Sequence, residues 1–168
     1  RMLYLEKIQV EVYYIHALTK ESNEFMLQSH ILKNMGIEIK EELDAKKSYD
    51  MIIDGIFGNG LSRPVRGIHE SVLDKINHMQ GEKIAIDMPT GIDPSTGKIL
   101  GTCFKADVTV TFGYYKIGQL LYPGRLYCGE VVVTQIGFAP QAASFLEQKV
   151  FMYERTDLQR LPKRKPDG

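Results

Sequence analysis

The sequence predicts an α/β domain built on a mostly parallel sheet, and three observations carry that prediction. Short runs rich in Val, Ile and Phe recur along the chain, with helical stripes between the early ones. Strands that alternate with helices connect by right-handed crossovers and run parallel. One apolar run, Ile84–Ile86, stops abruptly at Asp87 and is followed by Pro89, Thr90, Gly91 and Asp93. A buried parallel strand that ends in a polar loop reads this way, and open α/β sheets bind ligands beyond the carboxyl ends of their strands.

The 168 residues suffice for one domain with a real core. Forty-three per cent apolar and 25% charged residues are ordinary for a globular protein. The formal net charge of +0 argues against a general binder of nucleic acid or membrane surfaces. No apolar run approaches the ~18 residues of a membrane span, and no signal peptide is visible. The chain opens on Arg1 rather than Met, so its natural start can lie upstream. Cys103 and Cys128 have neither CxxC spacing nor neighbouring histidines. They read as free thiols rather than zinc ligands, which fits a reducing, cytoplasmic setting.

Taken in order, residues 1–7 read as the tail of a helix and 8–15 as a strand rich in Val, Ile and Tyr. Residues 19–35 form a helix with Phe25, Leu32 and Met35 on one stripe, stopped by Gly36. Residues 37–40 suit a short edge strand, and 41–47 a charged connector. Residues 51–57 form a strand interrupted by Asp54. Residues 67–80 form a helix with Ile68, Val72, Ile76 and Met79 along one face. Strands follow at 83–86, 107–112 and 130–136, with a glycine- and tyrosine-rich loop at 113–124 that can hold a helical turn. A short helix at 140–148 and an edge strand at 150–153 complete the domain, which is bounded at 1–156. Residues 157–168, basic and carrying two prolines, read as a linker leading out of it.

Two strand ends carry the candidate chemistry. Neighbouring parallel strands bring the loops after Asp54 and Asp87 to one edge of the sheet. In the first loop, Gly58, Asn59, Gly60, Leu61, Ser62, Arg63 and Pro64 offer backbone N–H groups and a guanidinium suited to phosphate. The pattern is GxG rather than GxGxxG, and a tight turn produces it equally well. Asp54 lies inside an apolar run, where an uncompensated carboxylate costs several kcal/mol, of the order of ~3 or more. A cation, an arginine or backbone donors would compensate it. Thr90 adds a hydroxyl near Asp87, and oxygen-only ligands suit a hard cation, although a hydrogen-bonded turn has the same spacing. Asp93 reads as an Asx turn. Asp87 is the candidate general acid/base. Lys116 sits at a strand end, where it can reach the site or simply face solvent. Tyr114, Tyr115 and Tyr122 can stack on a base or serve structure alone. The four histidines have no metal-ligand spacing.

Four segments, DGIFGNGLSRPVRG, AIDMPTGIDPSTGKILG, KADVTVTFGYYKIGQLLYPGR and GEVVVTQIGF, occur in this order. Together they resemble the YjeF-N family of NAD(P)HX epimerases, over roughly residues 1–140. The resemblance implies a Rossmann-like three-layer α/β/α sandwich, a homodimer or higher homo-oligomer, and a bound potassium ion (K+). It implies interconversion of the R and S hydrates of NADH and NADPH (NADHX and NADPHX), with no nucleic-acid or membrane partner. It assigns Asp54 and Thr90 to potassium, Gly58–Pro64 to the hydrated nucleotide, and Asp87 to substrate binding and catalysis. The family's GNNGGDG-like segment has no counterpart in this sequence, which implies a fragment lacking the N-terminal part of the domain. The tail LQRLPKRKPDG is similar to the entry into an ADP-dependent dehydratase domain, which implies a bifunctional parent. Relatives of the domain also occur as non-catalytic modules of RNA-decapping scaffolds, the alternative to an isomerase.

Overall fold

In the computed structural model the described residues are 1–15, 21–139, 141, 150–153 and 156–157. Residues 1–136 form one compact unit and 137–168 a second. Within the first unit the chain runs α1 (Met2–Leu5), β1 (Val12–Tyr13), α2 (Asn23–Asn34), β2 (Ile39–Lys40), β3 (Met51–Asp54), α3 (Ile68–His78), β4 (Glu82–Ile86), β5 (Val108–Phe112), α4 (Ile117–Leu120), a 3₁₀ turn at Gly124–Tyr127, and β6 (Glu130–Thr134). The expected α/β class is observed.

All strand pairing within the named strands is parallel. β3, β4, β5 and β6 form a four-stranded sheet in sequence order, and β1 and β2 form a separate two-stranded ribbon. The register pairs Asp54 with Ala85, and Ala85 with Thr109, so the carboxyl ends of β3, β4 and β5 share one edge.

The local signals explain most boundaries. Ser22 caps α2 by accepting the Phe25 N–H, as hydroxyl residues do at helix starts. Met35 closes the helix and Gly36 takes the left-handed conformation that follows it. The strand expected over 8–15 narrows to Val12–Tyr13, because only these residues find a parallel partner in β2. In α3 the buried face is His69, Val72, Leu73 and Ile76 rather than a stripe beginning at Ile68, which is 48% exposed.

The core lies between α3 and one face of the four-stranded sheet. Leu73, Phe104 and Ala85 are fully buried there, with Val65, Val72, Ile76, Met79 and Leu61 around them. A smaller cluster of Met88, Ile92 and Cys103 sits under the loop after β4. On the opposite face of the sheet Met51, Ile53, Ile86 and Val132 are exposed. Side chains alternate across each strand, so this exposure follows one face of the pleat.

The helix expected over 140–148 lies outside the described residues apart from Gln141. The edge strand expected at 150–153 is absent. Val150–Tyr153 has no regular structure, and Phe151 and Tyr153 are more than four-fifths exposed. Strand propensity makes a strand only where a partner supplies the ladder. Both cysteines are free, as the sequence implied, and both are buried.

Candidate functional site

Two carboxylates stand at neighbouring strand ends, Asp54 held by the loop after β4 and Asp87 by β5 and the loop that follows it. Asp54 closes β3 and is 2% exposed. Its Oδ2 accepts the Thr90 N–H at 2.7 Å, and its Oδ1 accepts the Thr90 hydroxyl at 2.8 Å and the Ile56 N–H at 3.1 Å. Thr90, also buried, accepts the Phe57 N–H at 3.0 Å and lies 3.2 Å from the Phe57 carbonyl oxygen. Burial pushes the Asp54 carboxyl above its usual range, and the three donors oppose the shift without cancelling it. The loop after β4 therefore latches onto the end of β3 through Asp54 and Thr90.

The donor set at this latch meets one test for a hard cation. The Thr90 hydroxyl lies within hydrogen-bond distance of both the Asp54 carboxylate and the Phe57 carbonyl, so three kinds of oxygen gather around one side chain. Buried charge that donors compensate only in part is what a monovalent cation would complete. Among the described residues no group of three or more His, Cys, Asp or Glu side chains could hold a metal.

Asp87 directly follows β4 and has φ +66°, left-handed for a residue other than glycine. Asp tolerates this region better than most residues, but such outliers cluster at functional sites. Its N–H continues the ladder to the Val110 carbonyl at 2.8 Å, so the twist begins only past the last β4–β5 bond. Oδ1 accepts from the Thr111 hydroxyl at 3.2 Å and the Phe112 N–H at 3.3 Å, and from the Lys116 ammonium in a close ion pair. All these bonds fall on Oδ1. Oδ2 takes none of them.

Lys116 thus belongs to the site instead of facing solvent. Its Nζ also donates to the Thr111 hydroxyl at 2.9 Å and the Phe112 carbonyl at 3.1 Å. Gln119, Thr111 and the Phe57 carbonyl escaped the sequence reading. The Gln119 amide donates to the Asp87 carbonyl at 2.7 Å, and its oxygen accepts the Lys116 N–H at 2.8 Å. The spacing of a helix-capping pair, three residues apart, was the available signal for Gln119.

The loop 58–64 is divided. Gly58, Asn59, Gly60, Ser62, Arg63 and Pro64 are exposed, but Leu61 is buried in the main core. Its side chain is an anchor, so only its backbone can meet a ligand; an apolar side chain leaves water wherever the core offers room. No atom lies within 4 Å of where a Cβ would stand on Gly58 or Gly60. The backbone there is open to approach. Asp93 forms the expected Asx turn, accepting from Ser95 and Thr96 N–H groups at 2.9 and 2.8 Å. Burial works against that carboxyl, and these donors outweigh it, leaving it below the usual range. Tyr114, Tyr115 and Tyr122 are exposed, while His69 is buried and His30 and His78 lie on the outer sides of α2 and α3.

A parallel sheet with two anchored carboxylates and an open glycine loop at one carboxyl edge marks an α/β domain with its candidate site where open α/β sheets place theirs. Residues 1–118 match the family described as YjeF-related protein N-terminus, and the chain belongs to that family. It is 39% identical over 137 residues to the NAD(P)H-hydrate epimerase of Oenococcus oeni, covering 82% of this chain and 65% of that protein. It is 40% identical over 129 residues to the Bifunctional NAD(P)H-hydrate repair enzyme Nnr of Thermofilum pendens, covering 77% of this chain and 24% of that protein. The chain therefore spans just under two thirds of the first relative and about a quarter of the second. The crystal structure of a yeast protein, YNL200c, superposes with a TM-score of 0.69 at 21% identity, covering 93% of this chain and 67% of that one. That likeness shows the fold.

Proposed function

We propose that this domain takes part in NAD(P)H-hydrate epimerisation, interconverting the R and S forms of hydrated NADH and NADPH. The observation that carries the reading is Asp87: its carboxylate is anchored through one oxygen and free at the other, at the carboxyl edge of a parallel sheet. The relatives named as NAD(P)H-hydrate epimerases supply the substrate class.

The substrate carries a hydroxyl on C6 of its reduced nicotinamide ring. Epimerisation breaks the C6–O bond with a proton delivered to the departing oxygen, while the ring nitrogen lone pair forms the C=N bond of an iminium cation. Water then adds to the opposite face and gives up one proton. One proton goes in and one comes out, so no net reagent is consumed. In this reading Asp87 Oδ2 relays both protons, and its carboxylate stabilises the cation between them. The exposed backbone at Gly58–Gly60 and the Arg63 guanidinium bind the phosphates of the nucleotide.

Potassium belongs to the same proposal. Asp54, Thr90 and the Phe57 carbonyl would hold it, and its contribution would be to fix the two loops relative to each other. Two buried thiols kept free suit a reducing cytoplasm, and the described residues contain no helix long and apolar enough to cross a membrane. Self-association as a homodimer completes the reading.

The test is Asp87→Asn. Mixed R and S hydrates are added and re-equilibration is followed by chromatography. The rate is expected to fall about 100- to 10,000-fold, with an unchanged circular dichroism spectrum. An unaltered rate in a folded variant would remove Asp87 from the chemistry.

A further inference from the structure

We infer that Lys116 and Gln119 are positioning residues for Asp87: Lys116 fixes which carboxylate oxygen faces the substrate, and Gln119 fixes the left-handed backbone that aims it. The inference rests on the reading of Asp87 as the proton-transfer group, and it deepens that reading.

The ammonium of Lys116 has three hydrogens and meets three acceptors: Asp87 Oδ1, the Thr111 hydroxyl and the Phe112 carbonyl. Its bonding capacity is filled. A lysine so occupied is poorly suited to grip a substrate phosphate, and its work is done on Asp87. Lys116 and Asp87 are each less than one-fifth exposed, so the pair is only partly screened by solvent. Thr111 and the Phe112 N–H bind the same oxygen as Lys116. Three donors on Oδ1 lock the carboxylate rotamer and leave Oδ2 as the free acceptor. Lys116 is the one charged side chain described in contact with Asp87. Asp54, on the neighbouring strand end, is occupied by Thr90 and Ile56.

Gln119 acts on the backbone. It is fully buried, and its amide hydrogen bonds the carbonyl of Asp87 itself. Its oxygen binds the N–H of Lys116, so one side chain ties the two ends of the ion pair together. The turn carrying both is seated on the loop after β4. The Gly118 N–H donates to the Pro94 carbonyl at 2.7 Å, and a Cβ on Gly118 would fall 2.2 Å from the Asp93 carbonyl oxygen. The left-handed conformation costs of the order of ~1 kcal/mol or more for an ordinary residue and persists where the surroundings over-determine it. Gln119 is the side chain that binds the strained residue's own carbonyl.

Four variants test this. Lys116→Met removes the charge and the three donors, and Lys116→Arg keeps a cation that can donate to Oδ1. Gln119→Leu removes the clamp. Gln119→Glu keeps an acceptor for the Lys116 N–H but cannot, as a carboxylate, donate to the Asp87 carbonyl. For Lys116→Met, Gln119→Leu and Gln119→Glu, kcat is expected to fall about 10- to 100-fold with KM within about threefold, and Lys116→Arg is expected to recover most of the loss. A loss carried by KM would make Lys116 a substrate ligand and overturn the inference; so would parental kcat in Lys116→Met or in both Gln119 variants. Crystal structures of the variants decide the matter without any assay. Rotation of the Asp87 carboxylate in Lys116→Met and departure of Asp87 from positive φ in Gln119→Leu support the inference, and an unmoved Asp87 in both overturns it. If the parent chain shows no interconversion, the proposed function fails while the crystallographic result still stands.

Discussion

At Asp54 a buried carboxylate is only partly compensated. Its three donors are the reason the loop after β4 folds back onto β3, and desolvation remains the larger influence on its ionisation. A raised folded-state value means the native state holds the proton more tightly than the unfolded chain does. The associated stability is therefore full below the ordinary carboxylate range and lost as pH rises through the raised value. Replacing Asp54 with Asn removes that dependence, and it also sets an amide against the Thr90 N–H, a loss of about 1 kcal/mol. Urea midpoints of parent and Asp54→Asn are expected to lie furthest apart near pH 4 and to converge toward pH 8. Potassium ions are expected to raise the parent's midpoint at pH 8 and leave that of Asp54→Asn unchanged. A constant difference across pH would show that Asp54 ionises alike in both states. At this scale the sequence disclosed the two aspartates and Thr90, because a charge inside or at the end of an apolar run stands out. It left Lys116 open between the site and solvent, and it did not disclose Gln119. An ammonium on a loop looks solvated until the strand that receives it is known.

The elements carry glycines of two kinds. Gly91 has φ +94°, and a Cβ there would lie 2.1 Å from the Thr102 carbonyl oxygen. Gly58 has no such demand, with open space around it. Gly91→Ala is expected to cost more than about 2 kcal/mol in chemical denaturation. Gly58→Ala is expected to stay within about 0.5 kcal/mol of the parent while raising KM for the hydrated nucleotide, since a methyl group there occupies only ligand space. Equal destabilisation by both would show that the 58–64 loop is a structural turn, the reading its GxG pattern also allowed. The helices and central strands were legible because their periods of apolar residues are long enough to identify. The span of β1 was not, because the length of a strand is set by its partner. Val150–Tyr153 makes the same point, with strand-like residues and no ladder.

Across the molecule the four-stranded sheet is two-sided in character. One face is packed by α3, and Leu73 is fully buried against it; the other exposes Ile53 and Ile86, each more than two-fifths accessible. Leu73→Ala is expected to cost about 2–5 kcal/mol, and Ile86→Ala about 1 kcal/mol or less, since much of that side chain stays in water. Equilibrium unfolding in urea measures both, and similar costs would mean that the exposed face is covered in solution. Sedimentation velocity tests the homodimer within the proposed function, with a mass of one chain as the contrary result.

The alternation of apolar runs with helical stripes determined that this chain makes an α/β sheet whose early strands run parallel, and the polar residues at the strand ends marked the candidate edge. Both follow from chain-local physics: periodicity selects strand or helix, and a helical crossover returns the next strand in the same direction, whereas the direction of β5 and β6 was set by pairing in the folded sheet. Tertiary structure alone decided that Asp87 turns left-handed, that Lys116 and Gln119 hold it, and that Leu61 points into the core. Those outcomes depend on which distant groups meet across the ends of β4 and β5, and spacing along the chain does not encode such meetings.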